Sequence, residues 1–122
     1  MGTYGNRSYD FIIPPVCLFE EVFGQEKLVL VGKSGNMELI NGVLGSASLE
    51  SDMWIESSYL SRKHCLLKNQ GKTWCIEDLN TTNGTWVNGR RLNPGEPMVI
   101  RENDQLRMAD LIFVVKRKKQ DG

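Results

Sequence analysis

Histidine appears once in the 122 residues and cysteine three times, and no two of the cysteines are spaced as Cys-x-x-Cys. Cys17, Cys65 and Cys75 form an odd set, and with His64 as the lone imidazole they exclude both a disulfide framework and a closed zinc site. No metal and no other cofactor is expected. Charge of one sign is missing as well: 15 Lys and Arg balance 15 Asp and Glu, so no global field draws the chain to a nucleic-acid backbone or an anionic membrane. Long apolar runs are absent, the longest being Leu111 to Val115, and the first residues lack the charged-then-apolar pattern of a signal peptide. Neither membrane spanning nor secretion is expected, which places the protein inside the cell, in nucleus or cytoplasm. Helical spacing of apolar residues, sustained over several turns and capped, is also lacking.

What is present is the composition of an ordinary folded domain, 40% hydrophobic and 25% charged, in a chain long enough for one core. Short apolar runs recur about every ten residues with turn residues between them, the spacing of an all-β sandwich or barrel. Candidate strands are 28–31, 37–40, 53–55, 65–68, 74–77, 85–88, 98–100, 105–108 and 111–116. Asn41-Gly42, Asn69-Gln70-Gly71, Asn83-Gly84, Asn88-Gly89 and Pro94-Gly95 punctuate them with residues that tolerate φ > 0 or preset a turn, so antiparallel neighbours should dominate. Residues 1–26 fit less well, because Pro14-Pro15 interrupts their one apolar patch, and they are assigned to an N-terminal tail or an extra edge strand. The domain then occupies 27–116, and 117–122 close the chain as a basic and polar tail.

The stretch from Tyr59 to Gly89 carries the most chemistry. Ser61-Arg62-Lys63-His64 ends one loop and Thr81-Thr82-Asn83-Gly84 forms the next, with one hairpin between them. Antiparallel strands joined by a turn return the chain to the same end of a sheet, so the two loops should lie side by side. They would gather hydroxyls, an amide and a guanidinium at one rim, without a carboxylate base. Such a set suits holding an anion better than cleaving one. No nucleophile, base and orienting acid fall close together, so no catalytic residue is assigned and neither an enzyme nor a small-molecule substrate is expected.

Gly45, Ser61-x-x-His64, Asp78-Leu79, Thr81 to Gly84 and Asn88-Gly89 form an ordered set that closely resembles the forkhead-associated family over residues 27 to 116. The resemblance implies an antiparallel two-sheet β-sandwich of the SMAD/FHA type, acting as a phosphothreonine-peptide-binding adaptor. It implies that Ser61 donates its hydroxyl to the phosphate, that Arg62 adds a charged contact, that Thr82 reaches the same phosphate, and that Asn83 bonds the peptide backbone. Tyr59 falls where the family reads a side chain beyond the phosphothreonine. His64 corresponds to a histidine that braces the binding loop, and Gly45, Gly84 and Asn88 to supports of the loops.

One departure bears on function: the family's Gly-Arg pair stands here as Gly45-Ser46. Replacing a bidentate guanidinium by a hydroxyl removes one charge-assisted bond, about 1.5–3 kcal/mol or roughly ten- to hundredfold in affinity. Two readings follow, a phosphothreonine reader that leans on Arg62 and Lys63, or a domain of the same fold that binds protein surfaces without phosphate or pairs with itself. The partner in the first case is a phosphothreonine segment of another protein, and either an independent chain or a parent multidomain protein can carry such a module. Gly32-Lys33-Ser34 is a decoy P-loop, lacking the first glycine at Lys27 and a following helix. Lys116-Arg117-Lys118-Lys119 reads as the solvated end of a strand, so nucleic acid is not an expected partner. Trp54, Trp74 and Trp86 sit in strand patterns as core or sheet-face residues.

Overall fold

The computed structural model describes residues 4–6, 27–33, 35–71 and 73–118. Twelve strands follow one another: β1 (Tyr4–Asn6), β2 (Leu28–Gly32), β3 (Gly35–Glu38), β4 (Gly42–Gly45), β5 (Met53–Ile55), β6 (Cys65–Gln70), β7 (Thr73–Asp78), β8 (Thr85–Val87), β9 (Arg90–Arg91), β10 (Met98–Ile100), β11 (Gln105–Met108) and β12 (Leu111–Arg117). They form two six-stranded sheets, ordered β1-β5-β4-β6-β7-β10 and β3-β2-β12-β11-β8-β9. No helix occurs among the described residues, and the expected β-sandwich is what the chain builds. Every pairing is antiparallel except β4 with β5, which run parallel over Leu44↔Met53 and Gly45↔Trp54.

Period-two alternation explains the two layers. Cys65 and Leu67 of β6, Trp74 and Ile76 of β7, and Leu44 of β4 are buried from one sheet. Leu28 and Leu30 of β2, Leu106 and Met108 of β11, and Phe113 and Val115 of β12 meet them from the other. The Cys65 thiol donates to the Met108 thioether at 3.6 Å across the interior. Burial raises the pKa of that thiol well above its ordinary range, and the nearby Asp78 carboxylate adds to the effect. Of the tryptophans, Trp74 is in the core while Trp54 and Trp86 lie half-buried on sheet faces.

Differences from the sequence reading are local. The turn read at Asn41-Gly42 gives way to strand β4 (Gly42–Gly45), for which no strand was assigned, because the Asp52 carboxylate accepts the Val43 N–H at 2.9 Å and fixes the start of the strand. Arg90–Arg91 forms a short strand opposite β8, closed by a two-residue turn with Asn88 at φ 51° and Gly89 at φ 83°. Tyr4–Asn6 pairs with β5 at the edge of the first sheet, and Pro14-Pro15, Cys17 and Lys119 lie outside the described residues. Gly32 and Lys33 lead into the turn between β2 and β3, where no helix follows. Lys116 Nζ donates to Asn103 at 2.7 Å and Lys118 Nζ to Glu38 at 2.6 Å, so the two described lysines of the basic end are engaged.

Candidate functional site

Three loops converge at one end of the sandwich. They leave β4 at Ser46, enter β6 at His64, and link β7 to β8 through 79–84. Backbone bonds join the first two: the Ser46 N–H donates to the Ser61 carbonyl at 2.9 Å, and the His64 N–H to the Leu44 carbonyl at 2.9 Å. Ser46 therefore sits beside Ser61. Gly45 is required by this approach, since a Cβ there would run into the Arg62 carbonyl. That carbonyl also accepts the Ser51 hydroxyl at 2.8 Å.

His64 ties the second loop to the third. The Ser61 N–H donates to His64 Nδ1 at 3.1 Å, which leaves Nδ1 without a proton, so Nε2–H donates to the Gly84 carbonyl at 2.8 Å. Burial lowers the imidazole pKa from its ordinary value, against the opposing pull of the Gly84 carbonyl and the Asp78 carboxylate. The ring is a neutral brace.

Asp78, itself buried, organises the third loop. One of its oxygens accepts the hydroxyls of Thr85 at 2.6 Å and Thr81 at 2.7 Å, and the other accepts the Thr81 N–H at 3.0 Å. Burial alone raises a carboxyl pKa, but these bonds outweigh it and hold Asp78 below the ordinary value. Thr81 Oγ1 in turn accepts the Gly84 N–H at 3.0 Å, which completes a chain from Asp78 through Thr81, Gly84 and His64 to Ser61. Asn83 Nδ2 donates to the Tyr59 carbonyl at 2.8 Å and closes the rim from outside.

Ser46, Ser61, Thr82, Asn83 and Tyr59 are thus brought to one rim, with Tyr59 62% exposed. Arg62 stands there too, but its guanidinium is paired with the Glu50 carboxylate, Nε donating at 2.7 Å. Glu50 was not legible as a partner, being 12 residues away with no periodic relation to Arg62. Exposed Lys63 forms no ion pair among the described residues. Asn88 lies at the opposite end, where its amide bonds Asp104 at 3.0 Å and accepts the Gln105 N–H at 2.8 Å, bracing the turn before β11. Arg91 was missed by sequence reasoning, although the Asn88-Gly89 turn sets it opposite Trp86. Its Nη2 donates to the Thr82 carbonyl at 3.3 Å. The arrangement offers hydroxyls, amides and cations to an anion.

Comparison with known proteins identifies the fold and the family. The chain is 40% identical over 50 residues to the E3 ubiquitin-protein ligase rnf8 of Danio rerio, a match covering 40% of this chain and 10% of that protein. It spans about a tenth of the length of the curated relatives it matches. The FHA domain of an Arabidopsis thaliana hypothetical protein superimposes with a TM-score of 0.71 at 20% identity, over 80% of this chain and 91% of that one. Mycobacterium tuberculosis EmbR, solved with a low-affinity phosphopeptide, matches with a TM-score of 0.68 at 20% identity, over 80% of this chain and 26% of EmbR. The FHA domain family model matches residues 42–109, from the first residue of β4 through the β11–β12 turn and across all three loops of the rim, and the chain belongs to the FHA domain family.

Proposed function

We propose that this FHA domain binds a phosphothreonine segment of another protein at the rim formed by Ser46, Ser61, Arg62, Thr82 and Asn83. The observation that carries the reading is the His64 bridge, which fixes the Ser61 loop against the Thr82 loop through two hydrogen bonds of 3.1 and 2.8 Å. FHA domains are interaction modules that recognise phosphothreonine peptides, and the EmbR relative was solved with a phosphopeptide. A phosphothreonine brings about −1.5 to −2 charge and three acceptor oxygens, which the Ser61 and Thr82 hydroxyls and the cations Arg62 and Lys63 match. The Asn83 amide, whose Nδ2 donates to the Tyr59 carbonyl at 2.8 Å, would bond peptide backbone through its oxygen and its remaining N–H.

Ser46 in place of arginine leaves the phosphate one guanidinium short. Arg62 is engaged by Glu50. Those two observations favour a second reading, a phosphate-independent contact surface or self-association through the same fold. Fluorescence anisotropy with phosphothreonine, phosphoserine and unphosphorylated peptide libraries separates the two. On the first reading only phosphothreonine peptides bind, Ser61→Ala and Arg62→Ala each weaken them, and Ser46→Arg tightens them about ten- to hundredfold. Equal or absent binding across the three libraries, unaltered by Ser46→Arg, leaves the phosphate-independent reading standing.

A further inference from the structure

On the outer face of the second sheet, four residues stand opposite one another across successive strands: Arg91 and Trp86, then Trp86 and Arg107, then Arg107 and Ile112. Their neighbours Val87, Leu106, Met108 and Phe113 turn inward to the core, so this row faces out. Arg91 and Arg107 are exposed, and Ile112 is 52% exposed. The Arg107 guanidinium lies 4.5 Å from the Trp86 ring centre and that of Arg91 5.3 Å away. Two cations thus share one indole.

Neither cation has a counter-ion among the described residues, Asp110 in the adjacent turn included. Arg107 Nε donates to the Ala109 carbonyl at 2.8 Å and Arg91 Nη2 to the Thr82 carbonyl at 3.3 Å. A guanidinium has five N–H donors, so each keeps most of its fork free. Stacking on Trp86 and one backbone bond apiece fix both forks before any ligand arrives, which lowers the ordering cost of binding. Two like charges held on the strands either side of β8 repel weakly across roughly 10 Å, and an anion laid across both relieves that repulsion.

We propose that the Arg91–Trp86–Arg107 row binds an acidic segment flanking the phosphothreonine in the same partner protein. The inference rests on the phosphothreonine reading and gives that partner a second, negatively charged feature. Continuity argues for one ligand over both: Arg91 touches the Thr82 carbonyl, so the row begins where the rim ends. From Arg91 to Arg107 is two strand spacings, roughly 10 Å, a distance that about three residues of extended peptide cover. Two carboxylates a few residues from the phosphothreonine therefore reach both forks. A nucleic acid is the poorer fit, because two cations on a chain of net charge zero neutralise far fewer phosphates than the roughly six to ten of a stable footprint.

Isothermal titration of the whole chain with three phosphothreonine peptides, flanked by neutral, Asp-rich or Lys-rich residues, tests the row. Asp-rich flanks should tighten binding about tenfold over neutral ones at low salt, with the advantage shrinking as salt rises. In Arg107→Gln the ratio of the two affinities should fall toward one. Equal affinity of the wild-type chain for neutral and Asp-rich peptides overturns the proposal. Failure of all three peptides overturns the phosphothreonine reading instead, and an unphosphorylated Asp-rich peptide then tests the row alone through the Trp86 indole N–H resonance, assigned with Trp86→Phe. A shift of that resonance sustains the acidic-segment site and no shift ends it, as does tighter binding of a single-stranded oligonucleotide than of the Asp-rich peptide.

Discussion

The His64 ring accepts at Nδ1 and donates at Nε2, and only the neutral imidazole does both. Its pKa is held below 6.5 chiefly by burial, so as pH falls through about 6.5 the unfolded chain takes up this proton before the folded chain does. The contribution to stability is complete above that value, declines as pH drops, and levels off below the folded pKa. Because His64 is the only histidine, a slope in this window belongs to it. The Asp78 contribution is separate, present above the ordinary carboxyl value of 3.8 and lost only below it. Urea midpoints measured between about pH 7.5 and pH 5 should fall with pH in the wild type, by at most about 1.4 kcal/mol per pH unit, and stay flat in His64→Asn. A flat wild-type profile would mean that the Ser61 N–H does not depend on Nδ1. Phosphopeptide affinity should decline over the same window, since protonation at Nδ1 removes the acceptor of the Ser61 N–H and loosens Ser61, while Nε2–H keeps its bond to the Gly84 carbonyl.

At the scale of elements, the loop from β4 to β5 supplies Glu50 to the arginine of the loop that precedes β6, and so competes with any phosphate for Arg62. The Arg62 side chain is 78% exposed, and an exposed pair of this kind is worth about 0.2–1 kcal/mol, so a doubly charged phosphate can displace it. Glu50→Gln should accordingly raise phosphopeptide affinity by up to about fivefold without shifting thermal stability by more than a degree or two, read by anisotropy and calorimetry. No gain in Glu50→Gln together with no loss in Arg62→Ala would remove Arg62 from the site and leave Lys63 as the cation. The strands that the sequence made legible are those whose alternation is strong and whose ends carry turn residues, such as Cys65–Gln70 and Leu111–Arg117. Gly42–Gly45 stayed hidden because Asn41-Gly42 reads as a turn, while its pairing depends on Asp52 and on the distant Cys65–Gln70 strand. The rim was legible as two loops beside one hairpin. The Glu50 pair and the Arg91 contact were not, because each joins residues 12 and 9 positions apart through the fold and not through any local pattern.

Taken as one body, the sandwich is stitched through Cys65, whose strand lies between β4 and β7 in one sheet and whose thiol rests on Met108 of the other. A thiol at 0% exposure, with its pKa raised by burial, has neither access nor thiolate with which to react. It becomes reactive only when the sheets part, so its alkylation measures the opening of the whole core and not the fraying of an edge. With Cys17→Ser and Cys75→Ser removing the other two thiols, the urea dependence of Cys65 labelling should coincide with loss of the far-ultraviolet β signal and of tryptophan fluorescence. Trp74, 2% exposed on the adjacent strand, makes that fluorescence a report on the same interior. Coincident curves mean that both sheets and the rim they carry form a single cooperative unit. Labelling well below the unfolding midpoint would mean that the sheets separate while their strands stay paired, and that the His64 bridge spans two parts of independent stability.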